Sequence, residues 1–481
     1  MENFLDQIQK TEFEAFEYHA DDSMEKAHYS IEGSCDHGWA VTREGRSHLS
    51  LGKGYVLLRT VQCGVCSTDL DRRFLPFALP QIIGHEFIAI DSSGQRHVVE
   101  INASHAARGV STSCAYCSSG LANHCPERLV IGIHDLPGGF GPWLLAPKKA
   151  VFPIPDEIDN STAILIEPFA AVLNAAQRIS PKAGDRVAVL GTRRLGLLMI
   201  AALSAERRRN GTNYTIIGLS RHANLQNLAL SLGADQALEP PEEKPSQPMA
   251  EIVIDTTGSA EGLEKAILLA HREVHLKSTH GQPAAGLRHT TEIVVDEITL
   301  CSFESMQREL RKNLRGEDGQ SALVLWQSTS TPPKWLSDQS ECIHETDPRE
   351  AQRKLRSERP HLPAADFVVV DGSSGVDQAL RPSPDHETGL VRARGTIVIG
   401  QAKASDGPLL TAVTQRDLRL TSSRCGDFTA ALSLLEEDPE LRKALPRVIT
   451  HRMPIERLKD AFRLARSSEC IKVIVDHSPM S

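Results

Sequence analysis

Two cysteines with the spacing C-x-x-C, Cys63 and Cys66, are followed downstream by Gly84-His85-Glu86, and this order of residue types is compatible with three kinds of chemistry. A C-x-x-C pair at the start of a helix can exchange disulfides when its thiols are exposed, or it can supply half of a structural zinc site. A catalytic zinc instead takes three protein ligands and keeps an open position for water or substrate. Cys66, His85 and an acid such as Glu167 would meet that requirement, so the wider set of residues favours a catalytic metal over a redox pair.

The ten cysteines are unevenly distributed along the chain. Five fall between Cys63 and Cys125, and clustered cysteines are more often metal ligands than disulfides in a reducing compartment. The others are scattered singles, which we interpret as small buried hydrophobes: Cys35, Cys301, Cys342, Cys425 and Cys470. The cysteine pattern therefore predicts metal binding between residues 63 and 125.

Whole-chain composition narrows the classes of function. A length of 481 residues predicts two or three domains. The formal net charge of −9 disfavours nucleic acid or an anionic membrane surface as the main partner. The chain has no apolar run of 18 residues, and its start, MENFLDQIQK, is acidic and polar where a secretory signal would be basic and then apolar. We expect a cytoplasmic protein that binds neither nucleic acid nor membrane.

The elements that position the candidate ligands change character near Asn160. From about 51 to 155, short β-like runs such as YVLLRTV and PQIIGHEFIAI alternate with loops, as in a small, mostly β domain. Residues 161–179 then have helical periodicity, and DRVAVLG opens a pattern of alternating strands and helices. Before residue 30, apolar residues including Phe13 and Phe16 recur at roughly helical spacing, which indicates an amphipathic helix.

A strand–helix–strand–strand pattern recurs in the later chain. AEIVIDTTGSAEGLEKAI (250–267) has a weaker counterpart in ADFVVVDGSSGVDQAL (365–380). EVHLKS and EIVVDEITL (292–300), both predicted as strands, have counterparts in GTIVIGQ and QRDLRLTSS. The pattern indicates an internal repeat, with chance similarity between two β/α units as the alternative. The second copy would supply strands that extend or cap the sheet beyond 292–300, because an exposed sheet edge needs a partner.

With these residues in this order, the chain resembles the zinc-dependent medium-chain dehydrogenase/reductase family, the alcohol, sorbitol and threonine dehydrogenases. The resemblance covers about residues 50–303 and 420–478. It implies an α/β protein. Its domains would be a GroES-like, β-rich catalytic domain (1–165, completed by 426–481), a doubly wound Rossmann nucleotide-binding domain (166–303), and a large insertion with a possible repeat of the last Rossmann strands (304–425).

The resemblance implies one catalytic zinc. The family's ligand cysteine precedes a short Ser/Thr-Asp element, so it maps onto Cys66 and not onto Cys63, and the histidine of its GHE motif maps onto His85. In the sorbitol- and threonine-type branch the third ligand is a glutamate before a proline, which maps onto Glu167. Glu86 matches an acidic residue beside the metal that can approach it.

The resemblance also implies a route for the substrate proton. Thr68 matches the hydroxyl residue that takes this proton, and Asp69 matches the carboxylate that orients the histidine ligand. The proton would pass from Thr68 towards Asp71, where the family often has a histidine, while hydride moves from the alcohol to the nicotinamide. Ala89 stands where the family usually has glycine, a change that removes no metal ligand.

A second cysteine cluster partly matches the family's structural zinc lobe, which has the spacing C-x2-C-x2-C-x7-C. The matching positions are Ser111, Cys114, Cys117 and Cys125. Three thiolates leave a tetrahedral zinc site one ligand short. Either His105 or His124 substitutes for the missing ligand, or the lobe holds no metal.

The strand, turn and helix of GDRVAVLGTRRLGLLMIAAL match the context of a dinucleotide fingerprint, G-x-G-x-x-G. The residues of the fingerprint are Gly191, Thr192, Arg193, Arg194, Leu195 and Gly196. Arg193 replaces the middle glycine, which normally lets the backbone approach the pyrophosphate at the helix N-terminus. Either the charge of Arg193 would pair with the diphosphate, or its side chain would crowd the diphosphate.

The end of the next predicted strand bears on the choice between NAD and NADP. YTIIGLSRH lacks the Asp or Glu that binds a ribose 2′-hydroxyl, and it carries Ser220, Arg221 and His222 instead. An arginine at this place suits a 2′-phosphate, so we expect NADP in preference to NAD. The alternative is that Arg221 is only a solvated surface residue.

The resemblance implies a zinc-dependent oxidoreductase that transfers a hydride between NADP and a secondary alcohol, polyol or sugar alcohol, with a small-molecule alcohol or carbonyl compound as substrate. Two other functions stay open: a zinc-less reductase of the same superfamily, and a non-catalytic NADP-binding protein. Family members commonly pair through the edge strand that EIVVDEITL matches. If the insertion covers this edge, the protein is a monomer or a non-standard homo-oligomer.

Overall fold

The computed structural model describes residues 8–111, 114–243, 245–278, 281–310, 322–382 and 389–477. The chain divides into two compact units, the first comprising Met1–Ala170 and Cys425–Ser481 and the second comprising Ala171–Arg424. Among the described residues, no helix combines the length and the apolarity that crossing a membrane requires.

The described residues form strands and helices that we number in chain order. The strands are β1 (Gln9–Tyr18), β2 (Met24–Ser34), β3 (Gly38–Arg43), β4 (Arg46–Leu51), β5 (Tyr55–Gly64), β6 (Glu86–Ile90), β7 (Arg96–Val99), β8 (Asn102–Ala103), β9 (Leu129–Val130), β10 (Trp143–Pro147), β11 (Val151–Pro153), β12 (Arg186–Leu190), β13 (Thr215–Leu219), β14 (Gln236–Leu238), β15 (Ala250–Asp255), β16 (Ala270–Leu276), β17 (Thr299–Ser302), β18 (Leu323–Trp326), β19 (Glu341–His344), β20 (Ala365–Asp371), β21 (Val391–Gln401), β22 (Arg419–Ser422), β23 (Ile449–Pro454) and β24 (Lys472–Asp476). The helices are α1 (Ser67–Leu70), α2 (His105–Arg108), α3 (Ala115–Ser118), α4 (Asn160–Ala163), α5 (Ile166–Ile179), α6 (Arg194–Asn210), α7 (Ala223–Ser231), α8 (Ala260–Leu269), α9 (Thr290–Val295), α10 (Phe303–Leu310), α11 (Lys334–Gln339), α12 (Pro348–Glu358), α13 (Gly372–Leu380), α14 (Pro408–Arg416), α15 (Phe428–Glu437), α16 (Pro439–Ala444) and α17 (Leu458–Ala465).

The first unit is built mainly on two β-sheets. Strands β1 to β4 form an antiparallel meander, while β11-β7-β6-β5-β24-β23 form a larger sheet in which β10 also pairs with β5. The late strand β24 runs antiparallel to β5, with Ile474 opposite Gly64. The end of the chain therefore completes the sheet next to Cys66. Buried side chains of both sheets and of α17, such as Tyr18 and Phe462, belong to one hydrophobic core.

The amphipathic helix predicted before residue 30 is wrong for the described residues, which form β1 and β2 instead. In β1, Phe13 and Ala15 are buried while Glu12 and Glu14 are exposed, which is the two-residue period of a half-buried strand. Phe16 departs from this period: it is partly buried on the same face as Glu12 and Glu14, and its spacing from Phe13 is what suggested a helix. The pairing of β1 with β2 along its whole length decides for the strand, because cross-strand packing outweighs a short helical pattern.

The second unit contains one sheet with the order β14-β13-β12-β15-β16-β22-β17-β21-β20-β18-β19. The first six strands pair in parallel, and their order corresponds to 3-2-1-4-5-6 of doubly wound dinucleotide-binding folds. Strands β12 and β15 are buried along nearly all of their length. Burial on both faces explains why their apolar residues form continuous runs and do not alternate with polar ones.

The insertion continues this sheet. Beyond β17, strands β21, β20, β18 and β19 follow as parallel neighbours, and β17 meets β22 in antiparallel orientation through Leu300 and Leu420. The two similar sequence units form β15-α8-β16 and β20-α13-β21, each followed by a helix and a last strand, β17 or β22. These last strands are exchanged, since β16 pairs with β22 whereas β21 pairs with β17. The two halves of the sheet are thereby interlocked within one chain.

The strand predicted over 292–300 is shorter than expected. Helix α9 occupies its first part, and β17 begins only at Thr299. Ile293 and Val294 pack into the hydrophobic core from the helix, and Oγ of Ser422 donates to the carbonyl of Ile293 at 2.7 Å. The β-branched residues favour a strand locally, but tertiary packing overrides that preference.

A buried carboxylate connects the two halves of the sheet. Glu297, which is 1% exposed, accepts hydrogen bonds from the side chains of Arg178 (3.0 Å) and Arg394 (2.8 Å) and from the backbone N–H of Arg424 (3.1 Å). These partners lie on α5, on β21 and after β22. Burial raises the pKa of Glu297, but the guanidinium groups of Arg394 and Arg178 lower it more, so this pKa lies below its ordinary value.

We expect Glu297→Gln to lower the free energy of unfolding by about 3 kcal/mol at pH 7, because removing one partner of a buried ion pair leaves the other charges uncompensated. Since the folded carboxyl has a lowered pKa, its contribution is complete above the ordinary glutamate pKa and is lost as pH falls through the folded-state pKa. Urea unfolding at pH 7 and at a series of acidic pH values measures the difference. Glu304→Gln, at an exposed position of α10, is the matched control. A loss of stability that does not depend on pH would contradict the ionic role.

Candidate functional site

Two short segments of the first unit bring Cys66 and His85 together. Cys66 immediately precedes α1, and His85 immediately precedes β6, which pairs with β5. The ligand atoms of Cys66, His85 and Glu86 all lie within 4.8 Å of one another. A thiol, an imidazole and a carboxylate are the ligand types of protein-bound zinc, so the residues of this group fit that metal.

Asp69 orients two members of this group. Its Oδ1 lies 3.1 Å from Nδ1 of His85, and its Oδ2 accepts the backbone N–H of Cys66 at 2.8 Å. A tautomer of His85 that donates Nδ1–H to this carboxylate leaves the lone pair on Nε2 for a metal. Burial lowers the pKa of His85, but the charges of Asp69 and Cys66 raise it more, so this pKa lies well above its ordinary value.

Glu86 has a cationic partner that sequence reasoning missed. Nζ of Lys472 contacts Oε2 of Glu86 and donates to the carbonyl of Val65 at 3.1 Å. Burial lowers the pKa of Lys472, but Glu86 raises it more, so this pKa lies above its ordinary value. Gly64 leaves room for the pair, because a Cβ there would lie 2.7 Å from Oε2 of Glu86. The available signal was a lone lysine in the apolar run CIKVIV, since a buried charge needs a partner.

Glu167, the third ligand expected from the sequence, lies near this group but not inside it. Its carboxylate is outside the set of ligand atoms that lie within 4.8 Å of one another. Glu167 is half-buried in the first turn of α5. Burial raises the pKa of Glu167 to about 7, with His85 lowering it and Glu86 raising it, so its carboxyl group is within electrostatic range of both.

Cys63 is separate from the metal group. Its side chain is completely buried behind Gly84, where a Cβ would lie 2.8 Å from the sulfur. The left-handed φ of 100° at Gly84 also favours glycine. Burial raises the pKa of the Cys63 thiol well above its ordinary value, so the thiol stays protonated. Thr68 is half-buried in α1 and Asp71 is exposed, and the proton route between them stays a prediction.

A second group of potential ligands lies in the chain between β8 and β9. Its members, whose ligand atoms all lie within 4.8 Å of one another, are His105, Cys114, Cys117 and Cys125. Nδ1 of His105 lies 3.4 Å from Sγ of Cys125 and 3.8 Å from Sγ of Cys117. Ser111 is exposed, and neither it nor His124 belongs to the group. Of the alternatives left open by the sequence, the structure therefore brings His105 to the three thiols.

A carboxylate orients His105 towards the thiols. Nε2 of His105 lies 3.2 Å from Oε2 of Glu127, which leaves Nδ1 facing the sulfur atoms. Burial raises the pKa of Cys125 to about 12, and the neighbouring Cys117 and Cys114 raise it too. A bound dication would lower the pKa of the Cys125 thiol, because metal ligation stabilises the thiolate form. Three cysteines and one histidine are a standard ligand set of structural zinc, so these residues fit the metal.

The dinucleotide fingerprint lies between β12 and α6 in the second unit. Gly191 has a φ of 92°, and a Cβ at Gly196 would collide with the carbonyl oxygen of Gly191, so both positions require glycine. Arg193, in place of the middle glycine, has a φ of −110°, which any residue can adopt. Arg194 and Leu195 begin α6. The sign of φ therefore does not by itself require glycine at this position.

The turn after β13 lies beside this loop. Leu190 at the end of β12 is paired with Leu219 at the end of β13. Ser220 follows directly and is buried, and its carbonyl accepts a hydrogen bond from Nε2 of Gln226 at 2.7 Å. Arg221 is exposed. The turn thus presents a guanidinium near the place where NAD sites carry an acid.

Known proteins of similar sequence include dehydrogenases. Residues 52–156 match the alcohol dehydrogenase GroES-like domain. The chain is 32% identical over 157 residues to the starvation-sensing protein RspB of Escherichia coli K12, covering 31% of this chain and 46% of that protein. It is 26% identical over 255 residues to the sorbitol dehydrogenase of Halalkalibacterium halodurans, covering 48% of this chain and 73% of that protein. The match thus spans about half of the first relative and about three quarters of the second.

Solved structures of similar fold cover nearly the whole chain. L-idonate 5-dehydrogenase from Escherichia coli K-12 superposes with a TM-score of 0.59 at 13% identity, covering 98% of this chain and 99% of that one. The short chain alcohol dehydrogenase (rspB) from Escherichia coli CFT073, complexed with cofactor NADH, superposes with a TM-score of 0.56 at 17% identity, covering 97% and 99%. At these identities the likeness shows the fold alone. The predicted α/β fold, with a GroES-like domain and a doubly wound sheet, is confirmed.

Proposed function

We propose that this protein is a zinc-dependent oxidoreductase that transfers a hydride between an alcohol and NADP. The premise is that the chain has the GroES-like domain, the relatives and the fold of the medium-chain dehydrogenase/reductase family. The observation that carries the proposal is the group of Cys66, His85 and Glu86 within a domain of alcohol dehydrogenase type. A relative named sorbitol dehydrogenase supports a polyol, sugar alcohol or other secondary alcohol as the substrate class. A cytoplasmic location stays a prediction.

The residues of the chain would hold the metal and compensate the charge of a second carboxylate beside it. The proposed ligands are Cys66, His85 and Glu167. Glu86 is the alternative third ligand, but its contact with Lys472 compensates its charge and holds its Oε2. When bound, zinc would supply the positive charge that lowers the pKa of an alcohol, and NADP would supply the hydride acceptor.

Thr68 is the residue that we propose to take the proton of the alcohol. It lies in the short helix that follows Cys66 and directly before the buried Asp69. Because a proton released in a half-buried site must reach water, the route needs an exposed end. Asp71, exposed one turn further along the chain, would be that end.

An activity assay separates this proposal from the two alternative functions. Purified protein would be incubated with NADP and a panel of secondary alcohols and sugar alcohols, while formation of reduced nicotinamide and zinc content are measured. We expect turnover that a chelator removes and added zinc restores. In a second assay with NADPH and an enone or quinone, a zinc-less reductase would instead oxidise NADPH even after chelation. A non-catalytic protein would bind NADP without turnover in either assay.

We propose that NADP is preferred to NAD because Arg221 is exposed where an acid would otherwise bind the ribose. Arg221→Ala should weaken NADP binding tenfold or more and spare NAD, since a hydrogen bond to a charged group contributes about 1.5–3 kcal/mol. Fluorescence titration of both cofactors measures the change. Arg209→Ala, at an exposed position of α6, is the matched control. Equal weakening of both cofactors would show that Arg221 does not contact the 2′-phosphate.

The oligomeric state is also a proposal. The last strands of the two half-sheets already pair with each other inside one chain, through Leu300 and Leu420. Since that pairing occupies β17, we propose a monomer, or a homo-oligomer built through another surface.

A further inference from the structure

The insertion contains a second point at which the strand order reverses. From β18 the chain continues to β19 on one side, and α12 then returns it to β20 on the other side. The order β19-β18-β20-β21 therefore matches β13-β12-β15-β16, strands 2-1-4-5 of the first half. In open parallel sheets, ligands bind outside the carboxyl ends of the strands at such a reversal. The NADP site proposed above uses the first reversal, and the second is at β18 and β20.

Polar side chains meet at this second reversal. Oγ of Ser328 and the backbone N–H of Thr329, just after β18, donate to Oδ2 of Asp371 at 2.8 and 3.2 Å. The other oxygen of Asp371, Oδ1, is buried and has no hydrogen-bond partner among the residues that the structure describes, and the same holds for both Nε2 and Oε1 of Gln327. Buried polar atoms of this kind are costly, so a ligand that hydrogen-bonds to them would be favoured. The exposed Gly400 lies beside them, because a Cβ there would be 2.9 Å from Oδ1 of Asp371.

The strand register places an acid at the same end of the neighbouring strand. Leu219 ends β13, and His344 ends β19 in the same register against its neighbour. Glu345 therefore occupies the position that Ser220 has in the first half. In dinucleotide sites, an acid at this position accepts hydrogen bonds from ribose hydroxyls. The second half thus has the acid that the first half lacks.

The carboxylate of Glu345 is held in place and remains accessible. Its Oε2 accepts a hydrogen bond from Nζ of Lys354 at 2.8 Å, and its Oε1 accepts one from the backbone N–H of Asp347 at 3.1 Å. The side chain keeps 20% of its surface exposed. Each carboxylate oxygen has a second lone pair. Glu345 can therefore accept hydrogen bonds from hydroxyl groups of a ligand and keep its contacts with Lys354 and Asp347.

The features that bind a diphosphate are absent from this described part of the chain. The loop at 327–333, QSTSTPP, contains no glycine, and the helix that follows it has only six residues. A pyrophosphate needs close backbone approach and a helix N-terminus. The N-terminus of α13 already faces a negative group, since Ser373 donates to Oδ1 of Asp406 from its backbone N–H at 3.4 Å and from its hydroxyl at 3.3 Å. The chemistry favours a ligand with a ribose and without phosphate.

We propose that the crevice at the carboxyl ends of β18 and β20 binds one ribonucleoside per chain. Glu345 accepts hydrogen bonds from the ribose hydroxyls, and Gln327 and Asp371 hydrogen-bond to the remaining polar groups of the ligand. The site is separate from the fingerprint loop between β12 and α6, and it does not depend on the proposed hydride transfer.

Calorimetric titration of the full-length protein with adenosine, guanosine, cytidine and uridine tests this site, with NADP and NAD present in excess to saturate the first half. We expect one of the four to bind with a stoichiometry of one. Glu345→Gln and Gln327→Ala should each weaken that nucleoside at least tenfold. Glu341→Gln, at the exposed opposite end of β19, should leave it unchanged. Circular dichroism shows whether each variant is folded.

Three results would overturn the proposal. No binding of any of the four nucleosides at millimolar concentration would exclude the ligand class. Tighter binding of the corresponding 5′-monophosphate would show that phosphate is recognised after all. Binding that is unchanged by both variants and lost in Gly196→Val would assign the nucleoside to the first half. None of these results depends on whether the protein oxidises an alcohol.

Discussion

Cys66→Ser and His85→Ala should each abolish zinc binding at the site of Cys66 and His85, leaving the site at His105 loaded, and lower kcat by about 1000-fold or more. A bound zinc contributes several kcal/mol to the stabilisation of transition-state charge, and each 1.36 kcal/mol corresponds to a factor of about ten in rate. Both side chains belong to the group whose ligand atoms lie within 4.8 Å of one another, so either loss leaves too few donors. Metal analysis and turnover measured on the same preparations check the result.

Cys63→Ala is the matched control for this experiment, because it removes the same kind of thiol three residues away. Cys63 is completely buried and outside the metal group, so zinc content should not change, although stability will fall by the cost of a small cavity. Loss of zinc from Cys63→Ala would mean that the wrong cysteine was assigned. Normal turnover by zinc-free protein would contradict the proposed mechanism itself.

His105→Ala should reduce the zinc content from two ions per chain to one and destabilise the first unit. A ligand that binds only the folded state stabilises it by about 2.7 kcal/mol when present at 100 times its Kd, and by about 4.1 kcal/mol at 1000 times. His105 completes the set with Cys114, Cys117 and Cys125, so its removal leaves three thiols without a fourth donor. Zinc analysis, urea unfolding and thiol reactivity together measure the loss of zinc and of stability without relying on enzymatic activity.

Two further variants sharpen this test. Ser111→Ala should leave the zinc content unchanged, because Ser111 is exposed and lies outside the group, although it has the sequence position of a ligand cysteine. Glu127→Gln should weaken zinc about tenfold, since it removes the carboxylate that orients His105. A wild-type protein that holds a single zinc, with no change in His105→Ala, would show that this lobe is metal-free.

Much of the site could be proposed from the sequence because its chemistry depends on local spacing. Cys66 and His85 flank strands that pair with each other in register, so a short motif and the following GHE suffice to bring them together. Gly191 and Gly196 are required by one tight turn between β12 and α6, within six residues of chain. Lys472 could not be assigned in the same way, because it reaches Glu86 only through the pairing of β24 with β5.

The sequence by itself determined the residue types at the candidate metal and cofactor positions, and through the family resemblance it predicted the doubly wound sheet. It raised the internal repeat only as a hypothesis, with chance similarity as the alternative. Only the tertiary structure decided that His105 meets the three thiols, that residues 9–18 and 24–34 are strands and that β17 and β22 are exchanged between the half-sheets. Periodicity and donor chemistry are properties of neighbouring residues, so they can be read along the chain. The choice among competing partners depends on packing between residues far apart in sequence, and packing overrides local preference wherever the two differ.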